Sequence, residues 1–289
     1  MVNEKEALIF GATGHVGGAA ARELLQRGWR VRAVSRNPGS DKARALAALG
    51  AEVKQADMED RTSLERVFSG RRRVLSVQSW TTSGADGEVR QGKLVADVAK
   101  EAGVEHLIYL SAGVGERGTG VAHFESKIAV EDHMRELGLP FTILRPGPFM
   151  ELMTAREFFP PLAAWGVMPK VAGWDLPVPW TAVGDIGTAV ANMFEDPDTW
   201  IGRDLKTLVS DVKSLRECQA IFVEVTGKKP FGLPLPTGLF KRMADEEFIT
   251  MWRWMAEWEG MADLPALTEA SREACPEPVD VASWLMNSQ

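Results

Sequence analysis

Residues 8–18, Leu-Ile-Phe-Gly-Ala-Thr-Gly-His-Val-Gly-Gly, decide how this chain is read. A short apolar run enters glycines at Gly11, Gly14 and Gly17, and a helical pattern follows at once. Glycine lets the backbone turn sharply and lets a phosphate approach with no Cβ in the way. The free amides and positive dipole end of a following helix attract an anion. Strand, glycine turn and helix in this order read as a pyrophosphate cradle built from Gly11, Ala12, Thr13, Gly14, His15, Val16 and Gly17. The spacing is G-x-x-G-x-x-G rather than G-x-G-x-x-G, so the glycines count mainly through their place between a strand and a helix.

The same rhythm continues outward. Strands are expected at Ala7–Phe10, Arg30–Ser35, Glu52–Gln55, Arg73–Val77, His106–Ser111 and Phe141–Leu144. Helical patterns fill the intervals at His15–Arg27, Asp41–Leu49, Arg61–Phe68, Val89–Glu101 and Phe124–Leu137. Regular strand–helix alternation predicts an α/β fold with a doubly wound parallel sheet, the Rossmann arrangement, whose carboxyl edge takes the ligand. Beyond Arg145-Pro-Gly-Pro148 the alternation stops. Trp165, Trp174 and Trp180 appear among Pro160, Pro161, Pro169, Pro177 and Pro179. Helices are expected at Asp185–Phe194, from a cap at Ser210 or Asp211 to Val225, and over Leu239–Glu259, with a strand at Leu205–Val209. Residues 1–150 are therefore read as the nucleotide-binding domain. Residues 151–289 are read as a smaller α+β lobe on the sheet's carboxyl edge, for substrate or partner.

Composition narrows the function classes. The 289 residues are 45% hydrophobic and 25% charged, ordinary for a globular protein with a sizeable core. A net charge of −7 with interspersed signs argues against direct nucleic-acid binding. Two cysteines, Cys218 and Cys275, supply neither a disulfide framework nor a metal spacing. The charged start at Asn3-Glu4-Lys5-Glu6 does not read as a signal peptide, and no run approaches the roughly 20 apolar residues of a membrane span. A cytoplasmic protein, monomeric or homodimeric, is expected.

Cofactor choice is legible at the end of the second strand, Val34-Ser35-Arg36-Asn37-Pro38. An acid there would hold a ribose 2′-hydroxyl. Arg36 instead can pair with a 2′-phosphate and stack on adenine, and Lys42 in the next turn adds charge. NADP(H) is expected over NAD(H).

Taken together, Gly11-Ala-Thr-Gly-His-Val-Gly17, Ser35-Arg36-Asn37, Asp57, His123-Phe-Glu-Ser-Lys127 with Glu131, and Leu144-Arg-Pro-Gly-Pro-Phe-Met-Glu151 resemble the NmrA-like family. That family is an atypical branch of the short-chain dehydrogenase/reductase superfamily. Val225-Thr-Gly-Lys-Lys229 and Val281-Ala-Ser-Trp284-Leu extend the likeness over nearly the whole chain. The resemblance implies that Asp57 and Met58 border the adenine, that Gln78 borders a ribose, and that Lys127 bonds the nicotinamide ribose. It places Pro148 and Phe149 at the nicotinamide end. It implies either reduction of quinones, flavonoid-like compounds or other carbonyls, or redox sensing without clear turnover.

One departure bears on mechanism. Active short-chain reductases carry Y-x-x-x-K, with tyrosine and lysine one helical turn apart on one face. Here His123 occupies the tyrosine place before Lys127, and the only tyrosine is Tyr109 within the fifth strand. A catalytic set of Lys127, His123 and Ser111 is expected, with His123 or a water relay supplying the proton and Ser111 facing a developing oxyanion. The alternative is a non-catalytic NADPH/NADP sensor acting through a regulatory protein partner. His15, His106 and His133 show no ligand spacing, and no metal is expected. Trp252, Trp254 and Trp258 among Phe248, Met251, Met255 and Met261 form an aromatic face, read as core, as a substrate lining or as a contact patch. A bulky hydrophobic or aromatic small molecule is the expected ligand.

Overall fold

The computed structural model describes residues 5–113, 115–154, 163–232, 246–259 and 261–288. The expected Leu239–Glu259 helix is described as Glu246–Glu259, and residues 239–245, with Pro160 and Pro161, lie outside the described residues. The chain forms two compact units. The first holds residues up to Arg117, His123–Arg145 and Ile186–Thr207. The second holds Gly118–Ala122, Pro146–Asp185 and the residues from Leu208 onward.

The first unit is built on seven strands: β1 Glu6–Ile9, β2 Arg30–Ser35, β3 Glu52–Gln55, β4 Arg73–Ser76, β5 His106–Leu110, β6 Phe141–Pro146 and β8 Asp204–Leu208. Their order is β3-β2-β1-β4-β5-β6-β8. Pairing from β3 to β6 is parallel, with Ala7 beside Val31 and Arg73, and Leu75 beside Ile108. This is the doubly wound Rossmann sheet expected from the alternation. Every strand's carboxyl end therefore lies along one edge, and the order reverses between β1 and β4.

The helices are α1 His15–Gln26, α2 Asp41–Ala48, α3 Arg61–Phe68, α4 Trp80–Glu101, α5 Ala122–Leu137, α6 Met168–Val171, α7 Val183–Glu195 and α8 Pro197–Trp200. They continue as α9 Leu215–Thr226, α10 Glu246–Glu259, α11 Leu264–Ala274 and α12 Val281–Asn287. Small residues let α1 lie close on the sheet: Gly17, Gly18, Ala19, Ala20 and Ala21 are all buried. A core of Leu8, Phe10, Leu64, Phe68, Val74, Val95, Leu107 and Met134 fills the space under α3, α4 and α5.

The strand expected near Leu205, read as part of the 151–289 lobe, instead pairs beside β6 as the seventh strand of the sheet, and Ile186–Thr207 belongs to the first unit. Other elements also differ from the sequence reading. The helix expected at Val89 begins at Trp80 and bends at Gly84, whose φ of +69° interrupts it. The cap expected at Ser210 or Asp211 lies further on. Asp211–Ser214 is strand β9, antiparallel to β7 Pro177–Trp180, and Ser214 caps α9 with Glu217 in a reciprocal capping box. The second unit has its own core of Met150, Met153, Trp165, Trp180, Leu215, Trp252 and Trp284. Among the described residues no helix is long and apolar enough to cross a membrane.

His106, at the start of β5, is buried with its Nε2 2.8 Å from Thr142 Oγ1. Thr142 gives its own proton to Trp200 O at 2.6 Å, so His106 Nε2 is the donor. Its Nδ1 is buried with no hydrogen-bond partner. Burial first, and the Arg73 charge second, depress its pKa from 6.5 to about 4. A base depressed in the folded state contributes stability that is present above 6.5 and lost as pH falls toward about 4. Urea unfolding should therefore lose about 2 kcal/mol from this group between about pH 7 and about pH 5. His106→Gln keeps a donor and removes the titration, so its pH slope should be shallower; equal slopes would refute the assignment.

Candidate functional site

The chain turns sharply after β1. Gly11 adopts φ +66°, and a Cβ there would lie 3.0 Å from the Val77 carbonyl oxygen, just beyond β4. Gly14 N donates to Gly11 O at 2.9 Å. A Cβ on Gly17 would sit 2.4 Å from that same oxygen, so no side chain fits where α1 packs on the turn. Helix α1 starts at His15 with Gly14 as N-cap, no side-chain cap and no acid in its first turn. The amides of Ala12 and Thr13 donate to no acceptor among the described residues. Ala12 and Val16 are buried, while Thr13 and His15 are half-buried.

Capping sets this turn apart. Ser40, Asp60, Ser214, Asp263 and Asp280 cap α2, α3, α9, α11 and α12 through their side chains. Among helices longer than one turn whose caps are described, only α1 and α4 lack one. These two helices follow β1 and β4, the neighbours at which the strand order reverses. Open α/β sheets bind ligands at that switch point.

One strand along the same edge, β2 runs into Arg36. Its carbonyl accepts from Gln55 Nε2 at 3.2 Å. Its guanidinium is exposed, with no hydrogen-bond or ion-pair partner among the described residues. Ser35 Oγ accepts from Asn37 N, and Asn37 Oδ1 from Gly39 N, which fixes the turn around it. Lys42 is exposed on α2. Asp57 is exposed after β3 and accepts from Glu59 N at 2.9 Å. Met58 packs on the core with its Sδ 3.4 Å from Gln78 Nε2. Gln78, just past β4, is buried and donates to Ser76 Oγ at 2.9 Å.

Helix α5 presents His123, Lys127 and Glu131 at one-turn intervals on one face. Lys127 is 5% exposed, and its Nζ donates to Gln78 O at 3.2 Å and Leu110 O at 3.1 Å. It also lies 3.0 Å from Glu88 Oε1, near enough for an ion pair but not aligned for a hydrogen bond, and 5.3 Å from the Tyr109 ring centre. Glu88 is 0% exposed and takes the Ser126 hydroxyl on its other oxygen. Glu88 and Ser126 were not anticipated from the sequence. Their signal is Gly92 one turn after Glu88. A Cβ on Gly92 would lie 2.6 Å from Val130, so α4 meets α5 closely there.

His123 is buried, stacked on Trp80 with centroids 4.9 Å apart and planes at 13°, and edge-on to Phe124. Ser111, expected to face an oxyanion, is buried and donates to Glu131 Oε1 at 2.6 Å. Glu131 in turn takes both oxygens to Arg145 Nη2 at 2.7 Å. Arg145 also pairs with Asp204. Gly11, Arg36 and Gln78 thus follow the carboxyl ends of neighbouring strands, and Lys127 reaches the ends of β4 and β5 from α5, whereas Asp57 lies farther out, after the edge strand β3.

In the second unit, Pro148 O accepts from Thr181 N at 2.8 Å, and Phe149 bridges Thr181. Glu151 accepts from Val183 N at 3.1 Å and Trp284 Nε1 at 3.2 Å, while burial raises its pKa. Trp252 is core, and Trp254 and Trp258 are half-buried and stacked 6.3 Å apart. Burial pushes the Cys218 thiol up to about 12, so it stays protonated. Among the described residues no cluster of metal-ligating side chains forms.

Comparison with known proteins agrees with this fold. An NmrA-like family domain-containing oxidoreductase, lnaB of Aspergillus flavus, is 34% identical over 259 residues, covering 81% of this chain and 77% of that protein. The oxidoreductase malD of Malbranchea aurantiaca is 32% identical over 252 residues, covering 76% and 73%. The crystal structure of NmrA, a negative transcriptional regulator, in complex with NADP superposes with a TM-score of 0.77 at 20% identity, covering 98% of this chain and 95% of that one. Citrobacter sp. triphenylmethane reductase complexed with NADP(H) gives 0.75 at 19%, covering 98% and 99%. At such identities the structures establish the shared fold. Residues 3–285 match the NmrA-like family model, and the chain belongs to that family.

Proposed function

We propose that this chain binds NADP(H) at the carboxyl edge of its sheet and works as an NADPH-dependent oxidoreductase on a hydrophobic carbonyl, quinone or similar acceptor. The observation that carries the reading is Arg36, an exposed cation without a protein partner among the described residues, one strand from an uncapped helix whose glycine turn admits no Cβ. These residues fit a dinucleotide. The amides from Ala12 to Gly17 suit a pyrophosphate, Arg36 with Lys42 suits a 2′-phosphate, and Asp57, Met58 and Gln78 suit the adenosine side. Lys127 suits the nicotinamide ribose.

The bound coenzyme supplies a hydride; the protein must supply the proton and the electrostatics. Ser111 already gives its one proton to Glu131, which leaves His123 or a water relay for proton delivery. The acceptor class is supported by the relatives. Triphenylmethane reductase of Citrobacter sp. and an NADPH-dependent quinone oxidoreductase of Escherichia coli share the fold, and their names give a triphenylmethane and a quinone as substrates. A cytoplasmic setting belongs to this reading, supported by a composition with only two cysteines.

A specific observation favours a second reading, a redox sensor that acts through a protein partner. His123 replaces the tyrosine of Y-x-x-x-K, and Tyr109 is buried in β5 with its hydroxyl unbonded.

Two measurements test these readings. Arg36→Asp should weaken NADPH by about tenfold to a hundredfold and NADH far less, since charge-assisted hydrogen bonds are worth about 1.5–3 kcal/mol. Equal weakening, measured by titration calorimetry, removes the 2′-phosphate argument. NADPH oxidation followed with a panel of quinones and aromatic aldehydes should proceed in the wild type and collapse in His123→Ala and Lys127→Ala. Tight NADPH binding without oxidation across the panel would favour the sensor.

A further inference from the structure

We infer that Glu88 is a positioning residue that sets the preference of the site between oxidised and reduced coenzyme, acting through Lys127. The inference rests on the proposed binding of the nicotinamide ribose at Lys127. The two forms of the coenzyme differ by one charge: the oxidised nicotinamide ring is cationic and the reduced ring is neutral. An ammonium beside the ring would, by itself, repel the oxidised form. Lys127 is not by itself, because Glu88 Oε1 stands 3.0 Å from its Nζ, and both groups are buried.

The surroundings leave this pair as the deciding charge. The other contacts of Lys127 Nζ are the neutral carbonyls of Gln78 and Leu110. On the far side of Tyr109, Glu131 and Arg145 meet at 2.7 Å in a separate cluster that also takes in Arg135 and Asp204, two charges of each sign. Ser126 donates to the second Glu88 oxygen and holds the carboxylate in place. Gln78 follows β4 and Leu110 ends β5, so the ammonium lies about 5–10 Å along the edge from the glycine turn after β1. That separation suits the nicotinamide half of a dinucleotide whose pyrophosphate rests on the turn.

Removing either charge should therefore move the two affinities apart, in opposite directions. Titration calorimetry of the full chain with NADP+ and with NADPH gives the ratio of their dissociation constants. Glu88→Gln leaves an ammonium without its counter-charge and should raise the NADP+/NADPH ratio about tenfold, for a unit charge roughly 10 Å from the ring in an effective dielectric of about 20. Lys127→Met leaves a carboxylate and should lower the ratio by a similar factor. The double variant should return close to the wild-type ratio. A purely structural role for Glu88 would weaken both coenzymes equally and leave the ratio unmoved, which overturns the inference, as do shifts of the same sign in both single variants. If Glu88→Gln does not fold, Lys127→Met decides: a lowered ratio supports the inference and an unchanged one overturns it. Wild-type protein that takes up neither coenzyme overturns the underlying binding proposal as well.

Discussion

Two buried ion pairs, one turn apart on α5, fix that helix against the carboxyl ends of the central strands. Lys127 meets Glu88 from α4 and the carbonyls that end β4 and β5. Glu131 meets Ser111 after β5 and Arg145 in β6. Such pairs recover their desolvation cost only when both partners are present and well placed, so their main effect is to define geometry. Removing one partner leaves an unpaired charge in a dry interior, at a cost of about 3–5 kcal/mol. A rotation of α5 that would suit one pair would break the other. The face that carries His123, Lys127 and Glu131 is thereby held in one orientation.

This constraint bears on where chemistry is possible. Ser111 lies just past the end of a central strand, where the sequence reading expects it to face an oxyanion, but its proton completes the Glu131 cluster. His123 lies one turn before Lys127, outside both charge clusters, and is held by ring stacking on Trp80. Stacking restrains the plane of an imidazole without neutralising a charge on it, which is compatible with proton exchange. A second short-range restraint lies in the loop before α5. A Cβ on Gly115 would stand 2.9 Å from the Arg145 guanidinium, so the loop crosses closely over the buried pair.

The sheet and the glycine turn were legible in the sequence because both depend on local signals. Apolar runs ended by glycine and helix caps such as Ser40 and Asp60 act within a few residues. Arg36 was legible because its meaning comes from its place after the second strand. Glu88 was not, since its role depends on a residue 39 positions later and on two helices touching at Gly92. Periodicity alone starts that helix at Val89, because Gly84 and Gly87 break the pattern, and the backbone itself leaves helical geometry at Gly84 between a first turn from Trp80 and the longer run that carries Glu88. The strand at Asp211 was missed for a related reason. Asp and Ser there favour a helix cap locally, yet pairing with Pro177–Trp180 draws Asp211–Ser214 into a ribbon and moves the cap to Ser214.

The contrast in capping links stability to binding. Among the described residues six helices satisfy first-turn amides with a serine or aspartate, each such cap contributing about 1 kcal/mol. Helix α1 forgoes that gain, and a serine or aspartate at position 14 would place its oxygen where an anion is expected. The sequence there sacrifices local stability twice, through glycine entropy and through the missing cap. On the proposed reading a ligand that brings negative charge to the same amides offsets both losses. A ligand present at about a hundred times its dissociation constant stabilises the folded state by about 2.7 kcal/mol, comparable to what the turn gives up. On the proposed reading the glycine turn is weak as a structural element because it is shaped for an occupant, and the buried pairs on α5 hold the fold nearby.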